Sequence, residues 1–496
     1  LAGCTTFLHY IPKCTTGVFY LIFLSFYLNS SAQNSSILFQ EWKSAQTNNS
    51  IPTLPNFAYV GYKSGEESTP LLDDYTVFDV TDYGAIANDN ISDKQAIMAA
   101  INAAEDNNSG IVFFPPGEFL VNESSDETGE IILISKSNII LKGSGSGPGG
   151  TVLKQTEPTP PSNPNLAYTS PYLFRFEPKD IKTNLITEIT SNASRETFEV
   201  EVADPSALNV GQIVRLELHQ LRTDGESLMD NLLNDEFGNQ TIVSAANLNN
   251  DKEPRILDEI RFQEIHEITA INGSKITFKE PIHRTIDKQY NWVLHTYNYI
   301  ENVGVEDIKY TGYVPLPFNH HAEFDFPGYP KQEGWKYDSG WSAIKFSYVL
   351  NGWIKNNTFN NLSNCARIVN STDCSALQNV YTSSFTNPNY STGHTFISTE
   401  KSSYCLIGKN YDQSAGGVHH TCGFGANSIG NVVWRSHGPE NDITGFEAHA
   451  NQPRCNLIDK STGSIGAHFG GGKESLPNHL KYLTIWNFKG AVRSDN

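Results

Sequence analysis

Short aliphatic strand cores recur through the C-terminal part of the chain, at Ile354, Leu377, Leu406, Val432, Leu457 and Leu483. The steps between them are 23, 29, 26, 25 and 26 residues. Several cores run within a few residues into Asn or Ser, as at Asn357, Asn379, Ser461 and Asn487. This repeat predicts coils of three short strands and three turns. One coil cannot bury its inner face alone, so the coils must stack. Earlier coils are visible at Asn138–Gly143 and Val303–Ile308. A β-sandwich with regular turns is the competing reading of the same pattern.

Two stretches break the rhythm. Ala96, Ile97, Ala100, Ile101 and Ala104 form one apolar helical stripe, and Ser92 with Gln95 reads as a capping box in front of it. Gly110 closes that helix, Ile111–Phe114 reads as a buried strand, and Pro115-Pro116-Gly117 as a turn. In the middle, Phe198–Val202 alternates, Ile213–Leu218 follows, and Phe262–Ile271, Asn272-Gly273 and Lys275–Phe278 read as strand, hairpin turn and strand. These predict a small antiparallel barrel-like module inserted over 185–295, with the polar stretch 223–255 as an excursion. The expected fold is all-β: a right-handed parallel β-helix with an N-terminal cap helix and that inserted module.

Lys13 precedes the apolar run Gly17–Leu28, and Ser30-Ser31-Ala32 follows it. This pattern predicts a signal peptide over 1–32, hence a secreted, periplasmic or cell-surface protein. Residues 33–75 read as an extended leader, 76–184 as the cap and first coils, and 296–496 as the main coils with the groove. No other segment has the length and apolarity of a membrane span. Cleavage at that point leaves Cys365, Cys374, Cys405, Cys422 and Cys455. Their spacing matches no zinc pattern, and they read as small side chains in a β core.

The stretch Val80–Ala85, the Ala/Ile helix, and Gly110–Gly117 followed by Phe119 resemble the opening of the pectate-lyase superfamily. That resemblance implies a right-handed parallel β-helix whose cap and first coil these residues form. The superfamily's acidic pairs before the helix appear here only as Asn88-Asp89-Asn90 and Asp93. The same opening fronts lyases, hydrolases and phage tail proteins, so it implies fold rather than chemistry. The segment Asn451–Leu457, with Gly470–Gly472 and Trp486-Asn487, is similar to the last coils of secreted β-helix proteins from bacterial glycan-degrading systems.

Charge narrows the partners. With 35 Lys+Arg against 54 Asp+Glu, the net charge is −19, which disfavours nucleic acid. It leaves room for an anionic polysaccharide bound in a locally basic cleft. Seven of the 14 histidines lie at or after His394. Elimination from a uronic-acid polymer, possibly sulfated, needs a cation to neutralise the sugar carboxylate, a base for the adjacent C–H and an acid for the leaving oxygen. His437, His449, Arg435, Arg454 and His420 supply those types and are the candidate catalytic residues. Trp434, Glu447, Lys473, Trp341 and Tyr337 are the candidate substrate contacts.

An inverting glycoside hydrolase on the same scaffold is the first alternative, drawing on Glu440, Asp442, Glu447 and Asp459. The motifs of polygalacturonases and the arginine and calcium motifs of pectate lyases are not recognisable, so neither activity carries over. A noncatalytic glycan-binding or adhesion protein is the second alternative. No metal ligand set is assigned. Ca2+ is the one cofactor considered, through Glu323 and Asp325, and His320-His321 makes only a weak transition-metal pair. The sequence leaves the oligomeric state open.

Overall fold

A computed structural model describes residues 36–70, 72–218, 262–320, 331–450, 452–466 and 478–493. The expected signal peptide, the 223–255 excursion, Lys473 and the pair Glu323/Asp325 lie outside those residues. The chain divides into two units, Leu1–Leu54 and Pro55–Asn496. In the first, Ile37–Asn48 is an α-helix where an extended leader was expected. The Ser36 side chain accepts a hydrogen bond from Phe39 N at 3.1 Å, and Asn49 ends the helix in the left-handed conformation.

In the second unit the Ala/Ile stripe forms the helix Lys94–Asp106, with Ile97, Ala100, Ile101 and Ala104 buried. The expected capping box is not made. Ser92 Oγ donates to Asp126 Oδ1 at 2.6 Å and accepts from Lys94 N at 3.3 Å, one residue short of the expected Gln95 N. The Asp93 carboxylate accepts from Ile86 N (2.8 Å) and Leu120 N (3.0 Å), tying the helix start to the first coil. Tertiary partners outcompete the local cap.

Beyond this cap the backbone winds through three parallel sheets of ten, six and nine strands. One coil comprises Trp353–Lys355, Thr358–Asn360 and Asn364–Val369, and the next Ser375–Leu377, Val380–Thr382 and Thr395–Glu400. Each strand pairs in register with its equivalent one coil on, as Ile354 with Ala376 and Ala366 with Ile397. The fold is therefore a parallel β-helix, as the repeat predicted. Its interior is a continuous apolar column that includes Ile344, Ile354, Phe359, Ile368, Tyr381, Phe396 and Ile407. Tyr310 and Phe359 stack within it at 5.5 Å. All five cysteines from Cys365 on are buried free thiols.

The Asn that follows the strand cores has a structural cause. Asn357, Asn379 and Asn410 are buried and stacked. Asn379 Oδ1 accepts from Asn357 N (3.1 Å) and Nδ2 (3.2 Å), while Asn410 Oδ1 accepts from Asn379 N and Nδ2. Each Nδ2 also reaches an inner carbonyl, Val305 O, Ile354 O or Ala376 O. The ladder satisfies turn backbone that has no strand partner. Asn431 and Asn456 repeat the device further along.

Leu185–Thr296 contributes a six-stranded antiparallel sheet. The bridge between Ile189 and Val202 joins its two edges, so the sheet closes into a small barrel. Val214, Leu216, Phe262, Ile268, Phe278 and Leu294 fill it. The Asn272-Gly273 turn joins two of its strands, Gly273 having φ of 60°. On this module the buried His266 lies 3.2 Å from Glu264 Oε2 and 3.5 Å from Glu280 Oε2. Phe278 stacks on its ring, Tyr404 faces it, and the neighbouring His283 N donates to Glu264. Burial opposes the cation, but the two carboxylates outweigh it and raise His266 to about 9.

Two outcomes follow for stability. Asn379→Ala strands donors and acceptors on two coils and should cost about 2–4 kcal/mol, read as a lower denaturant midpoint. His266 is ordinarily half-protonated near pH 6.5, so its contribution is complete below that pH and is lost as pH rises toward 9. The wild-type melting temperature should fall across that window more steeply than that of His266→Gln. Parallel curves for the two chains would contradict the assignment.

Candidate active site

The third strand of every coil joins the nine-stranded sheet, and in-register stacking puts side chains from distant parts of the sequence shoulder to shoulder. One outward row runs Arg175, Lys345, Arg367, Ser398, Gly423, Glu447. Beside it run Ser342, Asn364, Thr395 and His420, and at the far edge Gly425 pairs with His449. Neighbouring strands lie about 4.8 Å apart, so each row is a ladder of groups at near-constant spacing.

The rows border a cavity of about 300 Å³ whose walls include Tyr172, Arg367, His394, His420, Glu447 and His449. Gly423 makes room for the central carboxylate. A Cβ at that position would meet Glu447 O at 2.8 Å and Glu447 Cγ at 3.1 Å. Glu447 holds two imidazoles: His420 Nδ1 lies 2.9 Å from Oε2, and His449 Nδ1 lies 3.2 Å from Oε1. The two rings are 5.2 Å apart. Burial opposes ionisation of Glu447, but both imidazoles hold its carboxylate well below the usual range. Burial pushes His420 down, whereas Glu447 overcomes burial and raises His449. The environment thus separates the two imidazoles into a more neutral and a more cationic one.

The cationic end is equally built. Glu400 and Tyr172 hold the Arg367 guanidinium. Burial, then the flanking guanidiniums of Arg367 and Arg175, push the Lys345 ammonium below its ordinary range. A chain of net charge −19 therefore carries three cations on successive coils leading toward Glu447. At the other edge His394 Nδ1 lies 2.9 Å from Asp338 Oδ1.

Of the sequence candidates, His420, His449 and Glu447 come together here. The others among the described residues do not line the cavity. Trp434 lies on the ten-stranded sheet between Gly408 and Asp459, with Lys409 and Arg435 over its ring at 5.3 and 4.6 Å. His437 bridges Tyr411 and Thr462 along the six-stranded wall and stacks on Tyr411 at 4.9 Å. Arg454 is buried with its guanidinium 3.4 Å from the Phe262 ring centre, against the barrel. The expected convergence of His437, Arg435 and Arg454 with His449 is thus corrected, because residues within one coil point to different walls. Tyr337 and Trp341 are buried, Trp341 Nε1 donates to Lys336 O at 2.6 Å, and Trp341 borders a different cavity together with Trp335.

Sequence reasoning missed Arg175, Lys345, Arg367, His394 and Asp338. A signal existed for the first three: the apolar–basic–apolar triplets Phe174-Arg175-Phe176, Ile344-Lys345-Phe346 and Ala366-Arg367-Ile368. Two other cavities lack this chemistry. One of about 570 Å³ is lined by Glu123, Asp126, Glu157, Tyr313 and Trp335 and has no arginine or histidine, and one of about 160 Å³ is lined by Arg195, His283, Arg284, Arg454, Lys481 and Tyr482 and has no carboxylate in its lining.

Two groups of donor atoms, His320/His419/His420 and His420/Glu447/His449, have ligand atoms within 4.8 Å of one another. Such imidazole-rich sets suit borderline transition ions, whereas Ca2+ takes six or more oxygens. The calcium considered from the sequence rests on Glu323 and Asp325, which lie outside the described residues.

The topology is that of a parallel β-helix. Residues 77–232 match the family described as rhamnogalacturonase A/epimerase, pectate lyase-like. Residues 417–496, which carry His419, His420, Glu447 and His449, match a domain of unknown function (DUF4955). Among characterised proteins, alginate lyase 7 of Azotobacter vinelandii is 40% identical over 77 residues, 16% of this chain and 9% of that protein. Mannuronan C5-epimerase AlgE3 of the same organism is 38% identical over 80 residues, 16% of this chain and 4% of that protein. These matches therefore span less than a tenth of each relative. Among solved structures, the surface adhesin PfbA of Streptococcus pneumoniae aligns with a TM-score of 0.40 at 12% identity, over 85% of this chain and 75% of that one. The tailspike gp49 of Pseudomonas phage LKA1 aligns with a TM-score of 0.37 at 12% identity, over 78% and 64%.

Proposed function

We propose that this chain is an exported lyase that cleaves an anionic, uronic-acid-containing polysaccharide by β-elimination in the cavity on the nine-stranded sheet. The observation that carries the reading is the meeting of Arg367 with a Glu447-held pair of imidazoles in that one cavity. Arg367 binds the sugar carboxylate, which makes the C5 proton acidic. The neutral form of the His449 imidazole, 42% exposed and made the more basic of the pair by Glu447, takes that proton. The C5–H electron pair becomes the C4=C5 double bond, the C4–O bond breaks, and the departing oxygen takes a proton back from the imidazolium. Glu447 fixes the orientation of His449 and steadies its cation. Arg175 and Lys345 lie on the coils beyond Arg367 and suit further anionic groups of a polymer.

Hydrolysis is less well served. It needs a carboxylic acid that stays protonated, yet the cavity carboxylates Glu400 and Glu447 both pair with cations and are held below their ordinary range. The names of the two relatives, an alginate lyase and a mannuronan C5-epimerase, support C5 chemistry, because elimination and C5 inversion both begin by removing that proton. They also favour epimerisation as the second reading.

The test is incubation of the purified chain with alginate, polygalacturonate and sulfated polyuronates. Ultraviolet absorbance of the conjugated product, new reducing ends and C5 configuration are followed together. Elimination gives both absorbance and ends. His449→Ala should lose at least about 100-fold in kcat/KM while still folding, with a melting temperature lowered by the loss of one Glu447 partner, and Arg367→Lys should raise KM more than it lowers kcat. Reducing ends without absorbance mean hydrolysis, and inverted C5 centres without ends mean epimerisation. Binding with no new product means an adhesion protein. Each of these three results overturns the lyase reading.

A further inference from the structure

We infer that His320, His419 and His420 form a binding site for a transition-metal ion of the zinc class, joined to the cavity through His420, which lines it. This goes beyond the proposed reaction and does not depend on it.

The imidazoles are packed as a group. The His320 ring lies 4.0 Å from that of His419, 4.8 Å from His394 and 5.6 Å from His420. His394 and His420 are 5.0 Å apart, and His419 and His420 4.6 Å. Neutral imidazole is the form that binds metal.

Carboxylates stand behind the rings as they do behind metal-bound histidines. Glu447 Oε2 lies 2.9 Å from His420 Nδ1, and Asp338 Oδ1 lies 2.9 Å from His394 Nδ1. Each contact fixes the tautomer that leaves Nε2 with its lone pair. His420 Nε2 is buried and makes no hydrogen bond among the described residues. The platform beneath is rigid. His419 N donates to Gly393 O (2.8 Å) and His420 N to His394 O (2.7 Å), while the buried Phe318 and Asn319 anchor the approach of His320.

The donor atoms of the three histidines lie within 4.8 Å of one another. Tetrahedral zinc, with Zn–N of about 2.0–2.1 Å, needs nitrogens about 3.3 Å apart, so the rings close by about 1.5 Å or less through side-chain rotation. Three imidazoles select zinc, cobalt, nickel or copper over calcium or magnesium. The overlapping set His420/Glu447/His449 is the weaker site, since an ion there would break the contacts through which Glu447 orients His420 and His449. Held by His320, His419 and His420, the ion keeps those contacts as its outer shell.

The test uses the full chain without an affinity tag, stripped with chelator and titrated with Zn2+ by calorimetry and with Co2+ by visible absorption. The expected result is one equivalent per chain, a melting temperature raised by a few degrees, and a Co2+ spectrum of low coordination number. His320→Ala and His419→Ala should each weaken Zn2+ binding at least 100-fold. Glu447→Gln should weaken it about 10–100-fold, and His449→Ala less than 10-fold. Circular dichroism of the stripped variants checks their folding, with His419→Gln standing in if the alanine variant does not fold. No saturable binding, unchanged affinity in the double variant His320→Ala/His419→Ala, or a larger loss in His449→Ala than in His320→Ala would each overturn the assignment. None of these readouts involves polymer cleavage, so this proposal and the lyase reading fail separately.

Discussion

Register is the constraint on which this molecule depends. Parallel backbone pairing between one coil and the next fixes which residues become neighbours, and it does so for every wall at once. A slip of one residue would exchange inner and outer side chains along a strand, emptying the apolar column and burying charge. The buried Asn ladder locks that register, because each amide bonds to the turn of the adjacent coil. Arg367 and Glu447 are 80 residues apart in the chain and only three strand pairings apart in space.

Within that frame the cavity is organised by buried carboxylates rather than by exposed bases. Glu447 sits among imidazoles, Glu400 against a guanidinium, and Asp338 against His394. A buried carboxylate without a partner would be costly to ionise, so each of these contacts fixes the carboxylate and its partner together. Removing one member exposes the other to that cost, which orients these side chains tightly and makes them sensitive to change. The same logic recurs in the barrel, where Glu264 and Glu280 enclose His266. Gly423 completes the design by omission, since any side chain there would collide with Glu447.

The fold was legible in the chain because its causes are periodic. Apolar cores every coil, Asn at the inner turn and an Ala/Ile stripe for the cap each follow from local geometry that repeats. The site was only half legible. His420 and His449 were found, and His394, His420 and His449 are in fact spaced 26 and 29 residues apart, close to one coil. Trp434, Arg435 and His437 attracted attention by clustering in sequence, but a coil turns its consecutive segments onto different walls, so clustering within one coil disperses side chains. The row Arg175, Lys345, Arg367 was hidden for the opposite reason. The inserted barrel separates Phe176 from Ser342, and the strand pairing that reunites them leaves no trace in spacing. The missing capping box at Ser92 is the same lesson at small scale, since a tertiary partner, Asp126, took the hydroxyl.

The central claim is that the nine-stranded face, and not another wall, receives the polymer. A crystal structure of the His449→Ala chain soaked with an oligouronate tests it most directly. The account predicts a sugar chain along that face, one carboxylate against Arg367 and the C5 carbon of the same sugar beside position 449. Sugar density over Trp434 on the ten-stranded wall, or among Tyr313 and Trp335, with the Arg367 cavity empty, would contradict it.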